Sequence, residues 1–208
     1  MDKKWFKRSY NFEVQASTDE KHGNVIVGRP IVYGQRTDID GMFEEVIEPG
    51  ALDHADLRDV RFLVNHDINA IPLARSRNNN ENSTMRLIPN SAGLDIRVDM
   101  DTENNSQARA LYSAVGRGDI SGMSFMFSVA DEEWDNLNSD YPTRHIKAIS
   151  KVVEVSAVTF PAYEATEIQA RNKEALENAR VALDSAREKR NTLDSVELEK
   201  LKIHYLYD

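Results

Sequence analysis

Apolar and polar positions alternate with a period of two along most of residues 10–160, and a helical period appears in only two places. Tyr10, Phe12, Val14 and Ala16 alternate with Asn11, Glu13 and Gln15, the pattern of a half-buried strand. Polar residues 17–23 turn the chain, and 24–32 read as a second strand in which Gly28 and Pro30 mark a bulge or an edge. Residues 35–41 read as loop, 43–47 as a short strand, and 51–57 as one or two helical turns after Glu48-Pro49-Gly50. A strand over 60–65 sets Val60, Phe62 and Val64 on one face, which His66 closes. Three consecutive asparagines in polar 75–84 predict a loop, and 85–88 with 93–98 predict a hairpin around Pro89-Asn90-Ser91.

The period changes over 103–116, where Ala108, Leu111, Tyr112 and Val115 stand at helical spacing and Gly116 or Gly118 ends the helix. The next strand, around Ser124, sets Met123, Phe125, Phe127 and Val129 on the core face. Ser124 then points the other way, with Gly122, Met126 and Ser128. After a polar excursion over 134–142, one or two strands follow over 145–160, with Glu154 on a face with Val152, Ser156 and Val158. From about Glu164 the composition turns to Ala, Glu, Arg, Lys and Leu, and Pro161 is the last proline. Leu176, Ala179, Leu183 and Ala186 keep a 3–4 spacing, but Arg190 breaks the seam, so it is too short for a coiled coil. Asp194 with Glu197 predicts a capping box that restarts a second helix. The chain reads as mainly β with helices, an α+β barrel or sandwich over 1–165, followed by a helical, partly mobile tail over 166–208.

Composition narrows the function. The net charge of −9 argues against a nucleic-acid or anionic-membrane surface. With no cysteine, disulfides, thiolate nucleophiles and zinc–thiolate sites are excluded. No apolar run is long enough to span a bilayer, and the basic start of the chain lacks an apolar core of signal-peptide length. The expected compartment is the cytoplasm.

Three residues break the pattern that surrounds them. Ser124 is a hydroxyl on a core strand with a glycine clearing space beside it. His66 ends an apolar face, where a lone histidine is commonly structural. Glu154 is a carboxylate in an apolar strand, and burying it unpaired costs several kcal/mol, so it has a partner. That partner is an arginine or lysine in a structural ion pair, or a histidine that it orients. Serine, histidine and carboxylate are the parts of a nucleophilic hydrolase: the imidazole takes the hydroxyl proton, and the acid fixes the imidazole.

The ordered blocks Phe43–Ala51, Val64-Asn65-His66-Asp67, Gly118–Phe127 and Val153–Ala162 resemble the prohead (capsid maturation) proteases of tailed phages, over roughly residues 25–165. That family is similar to the herpesvirus assemblins, so the resemblance implies a closed β-barrel surrounded by a few helices. It also implies His66 as general base, Ser124 as nucleophile and Glu154 as the orienting third member, with no cofactor and no metal. The implied activity is a serine endopeptidase working inside the procapsid in the host bacterial cytoplasm. Its partners would be a scaffold protein or the scaffolding segment of the major capsid protein, and self-cleavage would accompany it. By analogy with the assemblins a homo-oligomer is expected.

Two features depart from the family pattern. Met126 stands where the family usually has glycine, and the stretch after His66 is slightly longer. Ser121 is the rival nucleophile and His145 the rival third member, with Arg144 the candidate to assist a backbone oxyanion hole. Two other functions fit the same chain. One is a non-catalytic assembly or scaffolding protein on the same fold. The other is a metal-dependent hydrolase using His66, Asp67 and His145, although no paired ligand spacing supports it.

Overall fold

The computed structural model describes residues 5–10, 14–20, 23–159 and 173–207, which form two sheets and two helices. The larger sheet is built on two long antiparallel strands, β10 (Gly122–Asp135) and β11 (Thr143–Val158). On the far side of β10 lies β1 (Phe6–Tyr10), antiparallel to it. The far side of β11 is shared. Its first residues pair in parallel with β5 (Phe43–Ile47), which pairs with β4 (Arg36–Ile39), and its last residues pair in parallel with β6 (Asp59–Val64), which carries β7 (Ala74–Arg77). The smaller sheet is antiparallel, in the order β2 (Gln15–Asp19), β3 (Gly23–Val32), β9 (Gly93–Asp99), β8 (Met85–Asn90).

The expected closed barrel is not found. Because β5 and β6 occupy opposite ends of one edge of β11, the large sheet forks there, and among the described residues no strand ladder joins it to the small sheet. The two sheets enclose one core, to which Met123, Phe125, Phe127, Val152, Val155 and Ala157 contribute from β10 and β11, and Ile26, Ile31, Leu94 and Ile96 from the small sheet. The layers meet closely at Gly28, where an added Cβ would displace the Met123 side chain.

Other boundaries move as well. The alternation over 10–16 spans two strands, one in each sheet, with 11–13 outside the described residues. Residues 35–41, read as loop, contain the short strand β4, and 75–84 begin within β7, while 51–57 form turns with no helix. Helix α1 (Ser106–Gly116) starts at Asn105, whose side chain accepts from the Gln107 and Ala108 amides. The second helix, α2 (Lys173–Tyr207), does not restart at Asp194. Thr192 and Ser195 turn their hydroxyls back onto the Glu188 and Thr192 carbonyls, the behaviour of helix-interior residues. The expected boundary at 165/166 lies outside the described residues. Ala179 and Leu183 of α2 pack on Ile39, Phe43 and Leu137, and Arg187 donates to the Leu137 and Ser139 carbonyls.

A buried ion network ties β1 to β5 and β11. Arg8 and Arg144 both donate to Glu45, and all three are nearly inaccessible. Arg144 also pairs with Glu132 and lies 4.4 Å over the Phe6 ring. Burial pushes the Glu45 carboxyl up, but Arg8 and then Arg144 pull it further down, so it sits below the ordinary carboxylate range. Hydrogen bonds from Arg58, Arg75 and Arg29 likewise lower Asp56, Asp59 and Asp95. Each of these groups titrates lower in the folded chain than in the unfolded one. Their stabilisation is therefore complete above about pH 5 and is lost as pH falls through the folded values. Urea midpoints measured between pH 7 and pH 3 should hold steady to about pH 5 and then decline.

Candidate active site

Strand β6 ends at Val64, and the next two residues both adopt the left-handed conformation, Asn65 at φ 51° and His66 at φ 59°. This reversal carries His66 off the Val60–Phe62–Val64 face assigned to it by alternation. Asn65 fixes the reversal. Its amide donates to the Ala157 carbonyl at 3.0 Å, its side-chain Oδ1 accepts from the Thr159 amide at 3.0 Å, and its Nδ2 donates to Thr159 Oγ1 at 3.0 Å. Asparagine is among the few side chains that tolerate this conformation. Asn65→Ala is expected to cost roughly 1–3 kcal/mol through backbone strain and lost bonds, read as a lower urea midpoint with a weakened His66–Glu154 contact. Asn65→Gly should keep more of both.

The turned imidazole meets Glu154. His66 Nδ1–H donates to Glu154 Oε1 at 2.5 Å, the tautomer following from a carboxylate that can only accept. Glu154 owes its position to a bulge. Phe127 faces Val152 and Met126 faces Glu154, so Val153 is the extra residue on β11. Val152 thus joins the core, while Glu154, Ser156 and Val158 face the other way; the simple alternation had put Val152 with them. The second carboxylate oxygen of Glu154 accepts from Ser156 Oγ at 2.5 Å, and Ser156 Oγ accepts from the His66 amide at 3.2 Å. Burial of this carboxylate is thereby compensated at both oxygens.

Ser124 lies directly across the strand pair from Ser156, on the face shared with Met126 and Glu154. The face predicted for it is therefore observed, and Met123, Phe125 and Phe127 are fully buried on the other. Its hydroxyl is also fully buried and donates to the Arg8 carbonyl of β1 at 2.8 Å. No hydrogen bond joins Ser124 to His66 among the described residues. The Arg8 contact had no signal in the sequence, since it is made by a backbone oxygen. Ser156 was visible only as a residue sharing the face of Glu154.

The alternative residues lie elsewhere. Ser121 is exposed ahead of β10. His145 bonds Glu48 at 2.6 Å and lies 3.2 Å from Asp135 at the other end of β11, roughly 30 Å along an extended strand from Glu154. His66, Asp67 and His145 are accordingly not brought together as a ligand set, and no metal-binding group of three is present among the described residues. Arg144, the oxyanion candidate, is committed to Glu45 and Glu132 in the buried network. Beside Glu154 a cavity of about 290 Å³ is lined by Leu63, Ile68, Ala70, Pro72, Met126 and Val153, with Arg61 at its wall.

Comparison with known proteins places this chain in a family. Residues 10–180 match the family described as Caudovirus prohead serine protease, a span that contains His66, Ser124, Glu154 and Ser156. The prohead protease of Enterobacteria phage HK97 is 32% identical over 162 residues, covering 76% of this chain and 64% of that protein. The chain thus spans a little under two thirds of that relative's length. Among solved structures, the capsid assembly protease of bacteriophage T4 aligns over 76% of this chain and 99% of its own, with a TM-score of 0.45 and 10% identity. On the match over residues 10–180, this chain belongs to the Caudovirus prohead serine protease family.

Proposed function

We propose that this chain is a serine endopeptidase of phage capsid maturation in which Ser124 is the nucleophile, His66 the general base and Glu154 the acid that orients it. The observation that carries this reading is the His66 Nδ1–Glu154 hydrogen bond at 2.5 Å, on the face of the sheet that bears Ser124. With Nδ1 held as donor, Nε2 keeps its lone pair and can accept a proton. The Ser124 hydroxyl must first leave the Arg8 carbonyl by rotating about its Cα–Cβ bond. Oγ then attacks a peptide carbonyl carbon while its proton passes to His66 Nε2. As the tetrahedral intermediate collapses, His66 returns that proton to the departing amine. A water molecule, deprotonated by His66, then releases the acyl group and restores Ser124.

The substrates of this reading are a scaffold protein or the scaffolding segment of the major capsid protein, met inside the procapsid, with self-cleavage in the tail. The test is a fluorophosphonate probe, which should add its mass to the peptide containing Ser124 in the intact chain and not in His66→Ala. Labelling confined to another serine would refute the assignment. The cavity beside Glu154 suits an apolar substrate side chain, with Met126 as part of its lining. Met126→Trp, which fills it, should lower kcat/KM by about tenfold or more, whereas Met126→Gly should extend acceptance to bulkier side chains in a peptide-library digest.

One observation favours a second reading, a non-catalytic assembly protein on this fold: Ser124 is buried and engaged by Arg8. Under that reading, capsid processing by Ser124→Ala would match the parent.

A further inference from the structure

We infer that Ser156 is a positioning residue of the site, a fourth side chain that holds both the acid and the base in register. This rests on the proposed roles of His66 and Glu154. Ser156 is fully buried on β11 and spends its hydroxyl twice. It donates to Glu154 Oε2 at 2.5 Å, leaving Oε1 for His66 Nδ1–H, and it accepts the His66 backbone amide at 3.2 Å. A hydroxyl has one proton to give, so the two bonds have opposite directions and are compatible with each other.

Each bond removes a separate freedom. The bond to Oε2 stops the carboxylate from rotating away from the imidazole. The bond from the His66 amide holds the backbone of a residue that lies in the left-handed region immediately after β6 ends. The Asn65–Thr159 bonds fix the residue before it, so Ser156 supplies the local hold on His66 itself. A proton-transfer base displaced by about 1 Å can lose on the order of 100-fold in rate. Ser156 touches neither substrate nor the transferred proton. Its effect passes through Glu154 and His66, and so falls on the chemical step and not on substrate binding.

The experiment uses the full chain and a peptide substrate, with Ser156→Ala, Ser156→Cys and Ser156→Thr set against the parent and Ser124→Ala. In Ser156→Ala we expect kcat to fall by about 10-fold to 100-fold with KM within about twofold of the parent. Ser156→Cys, close in size and a weak donor, should behave like Ser156→Ala, while Ser156→Thr, which keeps the hydroxyl, should recover most of the rate. In the proton spectrum the low-field resonance of His66 Nδ1–H should move upfield or broaden in Ser156→Ala and Ser156→Cys. Thermal midpoints measured on all variants identify any that fail to fold, and Ser156→Cys carries the test if Ser156→Ala does. Parent-like kcat in Ser156→Cys, or an unshifted His66 resonance in a folded variant, would overturn the inference. Activity surviving in Ser124→Ala would instead remove the nucleophile assignment on which it rests, so the two failures are distinct.

Discussion

Ser124→Ala is expected to reduce peptide cleavage by roughly 10⁴-fold to 10⁶-fold, the loss seen when the nucleophile of such a constellation is removed. The substitution deletes one oxygen and keeps the Cβ, so the strand around it is undisturbed. Among the described residues the deleted hydroxyl bonds the Arg8 carbonyl, and the loss of that bond should cost about 1 kcal/mol of stability. The variant should therefore fold, bind substrate and fail to cut it. Co-expression with capsid protein, read by gel and by mass spectrometry of the termini, separates it from the parent. Processing at the parental sites by Ser124→Ala would end the case for this nucleophile.

Glu45→Ala is expected to cost roughly 3–5 kcal/mol, because it removes the carboxylate that two buried guanidinium groups share and leaves Arg144 with Glu132 as its counter-ion. Arg8 and Arg144 are 5% and 1% exposed, so water cannot replace the carboxylate. Against a total stability of about 5–15 kcal/mol for a domain, such a loss leaves little margin. A fall in the urea midpoint accompanied by an unchanged slope would identify it as a loss of native-state stability. The same substitution should also release β1, since Arg8 is the charged anchor of that strand. Glu45→Gln keeps the size and one acceptor oxygen and should lose less. Equal stability of Glu45→Ala and the parent would show that the network is decorative.

Elements governed by plain alternation were legible in the sequence. Met123, Phe125 and Phe127 declared the core face of β10, and Ser124 fell on the opposite face because the register from Gly122 to Met126 is unbroken. Where the backbone departs from a regular strand, the pattern misleads. The Val153 bulge moves Val152 to the core and leaves Glu154 behind, and nothing in Val-Val-Glu-Val marks which residue is extra. The paired left-handed residues at Asn65 and His66 invert the side to which the imidazole points, with only the asparagine as a hint. Buried ionic groups mislead in another way. Arg144 was a candidate for the oxyanion, and its burial with Arg8 and Glu45 had no local signal because their compensation comes from residues far apart in the chain. The barrel failed for a topological reason, the sharing of one edge of β11, which no local pattern reports.

That shared edge has a consequence for synthesis. Among the described residues, strand β6, which leads into His66, pairs with β7 and β11, and β10, which carries Ser124, pairs with β1 and β11. Residues 143–158 form the common member, and they are the last strand made among the described residues. A nascent chain that has already emerged past Ser124 still lacks the strand that joins its two halves, and lacks Glu154 with it. Connectivity alone thus delays the proposed catalytic groups from meeting until translation has passed the site they form, and under the proposed roles a ribosome-bound fragment ending before residue 154 should not cleave its neighbours.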